Sequence, residues 1–180
     1  MAPMFVPGPV DVDPEVLNAQ TKAVLPHRSK EYEKIFHRAE GKMRPLFGTK
    51  HRVFITACSG SGLQEAAVRN LANQRVLACV NGAFSQRWFN VALSNGKNVD
   101  RVDAEWGQPI KVEMVAEQLK KGDYEILTIV HNETSVGLEN SVEKIAKLVS
   151  DVSPETLVCV DAVSSLGGVE FLMDEWGVDF

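Results

Sequence analysis

The spacing of apolar residues changes character at about residue 52. Before it the texture is helical. Asp13 precedes Pro14, pairing a capping side chain with a proline in the first turn, and predicts a helix to about Leu25, stopped by Pro26. Ser29 opens a second predicted helix in which Tyr32, Ile35, Phe36, Ala39, Met43, Leu46 and Phe47 fall at helical spacing. They form one expected buried stripe, with Gly41 and Pro45 weakening the end of the helix. From Arg52 onward, short runs rich in β-branched residues alternate with helical segments. Strands are predicted at 53–56, 76–80, 98–103, 126–130 and 157–160, and helices at about 61–71, 84–93, 111–120 and 142–149. Such alternation predicts βαβ crossovers, hence an α/β fold with a mostly parallel sheet flanked by helices. No repeat, low-complexity tract or linker interrupts it. Residues 176–180 read as the approach to a further strand, so the chain is expected to be cut within a domain.

A chain of 180 residues suits one well-buried domain, and its 44% hydrophobic and 24% charged residues match an ordinary globular protein. The net charge of −5 argues against nucleic acid or an anionic membrane as partner, while leaving room for a small anion in a local pocket. Cys58, Cys79 and Cys159 share no metal or redox spacing and each lies in or just after an apolar run, so all three are expected to be reduced core residues. Residues 1–10 hold three prolines and no basic segment, unlike a secretory leader. No stretch approaches the ~20 apolar residues of a membrane span. The expected location is cytoplasmic.

Four strand exits carry the candidate chemistry. The run Leu157–Asp161 ends in one carboxylate and continues through Ala162, Val163, Ser164, Ser165, Leu166, Gly167 and Gly168. A buried parallel strand would deliver Asp161 to the carboxyl edge of the sheet, where open α/β folds bind ligands. A buried carboxylate there needs a cation or several donors, and a protonated pyridine nitrogen is one such cation. The same residues also fit a strand-end Asp that caps the following turn. Ser59-Gly60-Ser61-Gly62 opens a helix and offers backbone N–H groups and hydroxyls to an anion, although no lysine follows as in a Walker loop. A plain tight turn fits equally. Asn81-Gly82 makes a turn that puts Phe84 at a helix start, where its ring can stack on a planar ligand or simply join the core. His131-Asn132-Glu133-Thr134-Ser135 is unusually polar for a strand exit, whether as pocket donors or as caps. In a parallel sheet all four lie on one edge, and together they match the phosphate, ring face, 3-hydroxyl and pyridine nitrogen of pyridoxal phosphate.

With these motifs on one edge, the whole chain resembles the N-terminal portion of a class V pyridoxal phosphate-dependent aminotransferase. The likeness falls in the alanine–glyoxylate, serine–glyoxylate and serine–pyruvate branch. It rests on Pro7-Gly8-Pro9-Val10, His27-Arg28-Ser29, Ser59-Gly60-Ser61, Asn81-Gly82 with Gln86-Arg87, residues 131–135, residues 161–168 and Trp176-Gly177-Val178-Asp179. The resemblance implies the large domain of fold-type I enzymes, with residues 1–25 as an N-terminal arm and first helix, residues 26–180 as a partial cofactor-binding domain, and the small C-terminal domain absent. It implies that Ser59, Gly60 and Ser61 hold the phosphate and that Phe84 stacks on one ring face with Val163 on the other. Thr134 would sit by the 3-hydroxyl, Asp161 at the pyridine nitrogen and Gly8 near the substrate carboxylate. It also implies a homodimer and, as substrates, a small amino acid such as alanine or serine with glyoxylate or pyruvate. No metal is implied.

The departure from the family is equally definite. Its Schiff-base lysine follows the Trp-Gly-Val-Asp segment, and no lysine follows Asp161 here. That lysine is expected beyond Phe180, so the 180 residues alone are expected to be inactive. Lys111, Lys120, Lys121, Lys144 and Lys147 fall on predicted solvated faces. A lyase or desulfurase on the same cofactor, or a non-catalytic cofactor-binding remnant or split subunit, remain the alternatives.

Overall fold

The computed structural model describes Met4, Val6 and residues 8–180, so Met1, Ala2, Pro3, Phe5 and Pro7 lie outside the described residues. In chain order the elements are α1 (Pro14–Ala19), α2 (Lys30–Phe47), α3 (Gly60–Leu71), β1 (Arg75–Val80), α4 (Ala83–Ser94), β2 (Asn98–Asp103) and α5 (Val112–Leu119). There follow β3 (Ile126–Val130), β4 (Asn132–Glu133), β5 (Leu138–Glu139), α6 (Val142–Val152), β6 (Leu157–Asp161) and α7 (Met173–Trp176). Four strands form an all-parallel sheet in the order β2-β1-β3-β6, and β4 and β5 make a small antiparallel pair.

The central strands are apolar on both faces, as parallel strands between helix layers must be. Leu77, Cys79, Leu127, Ile129 and Val158 pack toward α5 and α6, where they meet Val115, Leu119, Val142, Ile145, Ala146 and Val149. Their neighbours Val76, Ile126 and Cys159 point the other way, into Ala67, Val68, Trp88 and Ala92 of α3 and α4. The period of two along each strand thus divides one sheet between two cores, giving three layers.

Four expectations need correction. Residues 53–56 form no strand, and Phe54 is 73% exposed. A strand exists only with a neighbour to receive its hydrogen bonds, and none lies beside this segment among the described residues. α1 ends at Ala19 instead of Leu25; none of its residues is buried, so nothing props up further turns. The stripe on α2 is at most half-buried, with Tyr32, Ile35 and Leu46 exposed, because the helix reaches the core chiefly through Phe47. Cys58 is exposed, whereas Cys79 and Cys159 are buried as expected and their thiols are pushed up to about 12 by that burial.

Candidate active site

β1 connects to β2 on one side, and the chain then returns to place β3 on the other, so the connections diverge between β1 and β3. Such a switch point opens a crevice at the carboxyl ends of the strands. A cleft of about 300 Å³ lies there, lined by Gly8, Ser59, Gly60, Ser61, Gln64, Phe84, Arg87, Val130, Asn132, Thr134, Asp161, Val163 and Ser164. All eight residues singled out from the sequence line it. A larger open depression of about 590 Å³ between α2 and α7 brings together Arg44, Lys50, Asp174 and Glu175 but no comparable set of convergent donors.

Asp161 closes β6 level with Val130 of β3. It is half-buried, more open than the buried carboxylate expected. Its Oδ1 accepts the Val163 N–H (3.0 Å) and its Oδ2 accepts the amide of Gln64 (2.8 Å). Each oxygen retains a lone pair, so the group can still accept from a ligand. Val163 stands 75% exposed over the cleft, free to press on a flat ligand.

The Ser59-Gly60-Ser61 turn follows an irregular segment instead of a strand, yet it still reaches the cleft because α3 starts there. Ser59 is the N-cap but makes no side-chain cap bond, leaving its hydroxyl available. A Cβ on Gly60 would come 3.3 Å from Val163, so a side chain there would crowd the space between cradle and ring platform. Arg87 Nη1 reaches the Ser61 hydroxyl at 3.4 Å, and its guanidinium lies 5.6 Å from the Phe84 ring centroid. The Phe84 ring and the Ser59-Gly60-Ser61 turn therefore share one cation, to which the sequence motifs assign no role.

Phe84 is held by its neighbours. Glu133, fully buried, accepts from the Phe84 N–H (3.2 Å), the Ser85 N–H (2.9 Å), the Ser85 hydroxyl (2.8 Å) and the Ser135 hydroxyl (2.7 Å). The Ser135 Oγ in turn accepts the Ala83 N–H. A carboxylate thus satisfies the open N-terminus of α4, where the helix dipole favours negative charge. Burial pushes the Glu133 pKa up, but the hydrogen bonds from Ser85, Ser135 and Phe84 outweigh it and leave the group below the usual carboxylate range. Gly82 is required by this contact, since a Cβ there would collide with the Glu133 carboxyl. Much of the polarity of residues 131–135 is therefore capping. Asn132 and Thr134 instead line the cleft, where Thr134 Oγ1 is hydrogen-bonded to Ser164 Oγ.

His131 stays out of the cleft. It is buried against Phe171 and Trp176, and burial pulls its pKa down despite Glu139 at 3.6 Å. Sequence reasoning also missed Gln64 and Ser164. A glutamine one turn into a helix carries no signal until its partner across 97 residues is known. Lys111, Lys120, Lys121, Lys144 and Lys147 are all exposed, and no lysine lines the cleft among the described residues.

A three-layer α/β sheet that gathers a serine- and glycine-rich helix start, an aromatic ring and a carboxylate at one switch point has the architecture of the large domain of fold-type I enzymes. The chain belongs to the aminotransferase class-V family, whose model matches residues 15–180. It is 33% identical to the L-aspartate–glyoxylate aminotransferase of Paracoccus denitrificans, over 98% of this chain and 46% of that protein. With the serine–glyoxylate aminotransferase of Methylorubrum extorquens it shares 32% identity, over 98% of this chain and 45% of that protein. An aspartate aminotransferase structure from Thermus thermophilus superposes with a TM-score of 0.88 at 36% identity, covering 96% of this chain and 49% of that one. The chain thus spans about half the length of the curated relatives it matches.

Class V aminotransferases are pyridoxal phosphate enzymes, and the residues of the cleft fit that group. Hydroxyls and helix N–H groups suit its phosphate, Phe84 and Val163 its faces, and the free lone pairs of Asp161 its pyridine nitrogen.

Proposed function

We propose that the protein is a pyridoxal phosphate-dependent aminotransferase that moves an amino group from a small amino acid, such as alanine or serine, to glyoxylate or pyruvate. The observation that carries the reading is the convergence of Ser59, Gly60, Ser61, Phe84, Thr134, Asp161 and Val163 on one cleft at the switch point. Both relatives are named for glyoxylate, and that of Methylorubrum extorquens also for serine, which supports the substrate class. Bound there, the cofactor would supply an electron sink for the electrons released as an amino acid loses its α-proton.

This chain's residues would bind and orient it. Ser59, Gly60 and Ser61 would hold the phosphate, with Arg87 adding positive charge on the same side. Phe84 and Val163 would fix the plane of the ring and exclude water from its faces. Thr134, tied to Ser164, would present a hydroxyl beside the ring, and an ionised Asp161 would stabilise a proton on the pyridine nitrogen. Gly8 lines the cleft without a side chain and leaves room for a substrate carboxylate. The lysine that moves the α-proton is proposed to follow the Trp176–Asp179 segment, outside this sequence. The working form is proposed to be a homodimer.

Pyridoxamine 5′-phosphate tests the cleft because it binds without a covalent link to lysine. Fluorescence titration should show saturable 1:1 binding to the wild-type chain. Asp161→Ala should weaken it about tenfold to a hundredfold, the loss expected for a charge-assisted hydrogen bond. Binding that is absent, or indifferent to both Asp161→Ala and Ser61→Ala, would overturn the assignment.

A further inference from the structure

We propose that Gln64 is a positioning residue for Asp161, its amide holding the carboxylate in the orientation the pyridine nitrogen of the cofactor requires. The inference rests on the cofactor reading above. Gln64 lies one turn into α3, the helix whose N-terminus forms the Ser-Gly-Ser cradle, and is only 5% exposed. A single rigid element therefore carries both the phosphate site and the clasp on Asp161. The helix is anchored at this residue, since its backbone carbonyl accepts the indole N–H of buried Trp88 at 3.1 Å.

The clasp acts on the carboxylate's freedom to turn. The Val163 N–H holds Oδ1 at 3.0 Å and Gln64 Nε2 holds Oδ2 at 2.8 Å. Two donors on different oxygens fix rotation about the terminal torsion, which is otherwise broad for Asp. Without Gln64, one backbone donor remains and the plane is free to swing. The other end of the amide makes the point sharper. Gln64 Oε1 is buried with no hydrogen-bond partner. A buried unpaired carbonyl is destabilising, so a methionine or leucine would serve packing better at this position. The amide is explained by what its N–H does at Asp161. Apart from Asp161, Arg87 is the one charged residue lining the cleft among the described residues, and it sits by Ser61.

The test is a double-mutant cycle on pyridoxamine 5′-phosphate binding, using wild type, Gln64→Met, Asp161→Ala and the double variant. Gln64→Met keeps the length and volume of the side chain but removes the donor. It should weaken binding about tenfold when Asp161 is present and by less than about twofold in the Asp161→Ala background. The absorption band of the protonated ring should also lose intensity in Gln64→Met, because a carboxylate that can turn away stabilises the ring cation less. Gln64→Asn, polar but too short to reach, should match Gln64→Met and stands in for it if that variant does not fold. If neither Asp161→Ala nor Ser61→Ala changes the affinity, the cofactor reading itself fails; if Asp161→Ala alone changes nothing, Gln64 has no carboxylate role to support and this inference is overturned. If Asp161→Ala weakens binding while Gln64→Met does not, or costs the same in both backgrounds, Gln64 is a packing residue and this inference is overturned.

Discussion

Asp161 and Glu133 are carboxylates at neighbouring strand exits, yet their surroundings give them opposite tasks. Asp161 is half-buried and keeps lone pairs toward the cleft, so it can meet a ligand. Glu133 is fully buried with four donors, so it is structural: it fixes the first turn of α4 and with it the Phe84 platform. Glu133→Gln keeps the shape but turns an NH₂ against backbone N–H groups. It should cost about 2–3 kcal/mol in urea unfolding at neutral pH. The pH dependence has a definite sign. The folded pKa is lowered, so the stabilisation is complete above the ordinary value of 4.5 and is lost as pH falls through the lower folded value. The stability gap between wild type and Glu133→Gln should therefore narrow only below pH 4.5, and a gap independent of pH would show that the group is not ionised.

At the scale of elements, α2 shows how a helix is closed when little of it is buried. Ser29 caps its start by accepting the Tyr32 N–H, and Gly48 closes its end in the left-handed conformation at φ 60°. Gly48 is also where α7 docks. A Cβ there would come 2.8 Å from the Leu172 backbone, and just beyond it Asp174 accepts from the Thr49 hydroxyl and the Lys50 N–H. Those two bonds hold the Asp174 carboxyl below the usual range. Gly48→Ala meets both a strained backbone and a backbone collision, and should destabilise by about 1–3 kcal/mol, read as a lowered Tm. Gly41→Ala, on the same helix with open space around it, should leave the Tm unchanged or raised. Equal effects at the two glycines would mean that the α2–α7 junction is not the constraint.

For the whole molecule, apolar side chains outside the two cores need an account. Val16, Leu17, Tyr32 and Ile35 are exposed on α1 and α2, and Val24 between them is 97% exposed. Exposed apolar side chains of this size suit an interaction surface, in keeping with the proposed homodimer. Sedimentation over a concentration series should show a monomer–dimer equilibrium. Leu17→Asp combined with Ile35→Asp should weaken it about tenfold or more while leaving the sheet and cleft intact. A chain that stays monomeric at every concentration, or dimerises equally well with both aspartates, would count against this surface. No described helix is long and apolar enough to cross a membrane.

What the sequence determined by itself is the part that depends on near neighbours. The period-two runs at 76–80, 126–130 and 157–160 had to be buried strands, because alternate residues of each supply both cores. Helices between them made the sheet parallel, and parallel strands put every exit loop on one edge, so Phe84, Thr134 and Asp161 could be placed together, whereas Ser61 reaches the same cleft from an irregular segment at the start of α3. What only the tertiary structure decided depends on partners far along the chain. Residues 53–56 alternate like a strand but have no described neighbour to pair with. The apolar stripe of α2 has the right period, yet little of the chain covers it. Residues 131–135 read as pocket donors or as caps until α4 is found against Glu133, and Gln64 carries no signal until Asp161 is found against its amide. Periodicity is written locally and survives any arrangement of the rest, whereas a hydrogen bond across 48 or 97 residues exists only once the sheet has ordered its strands.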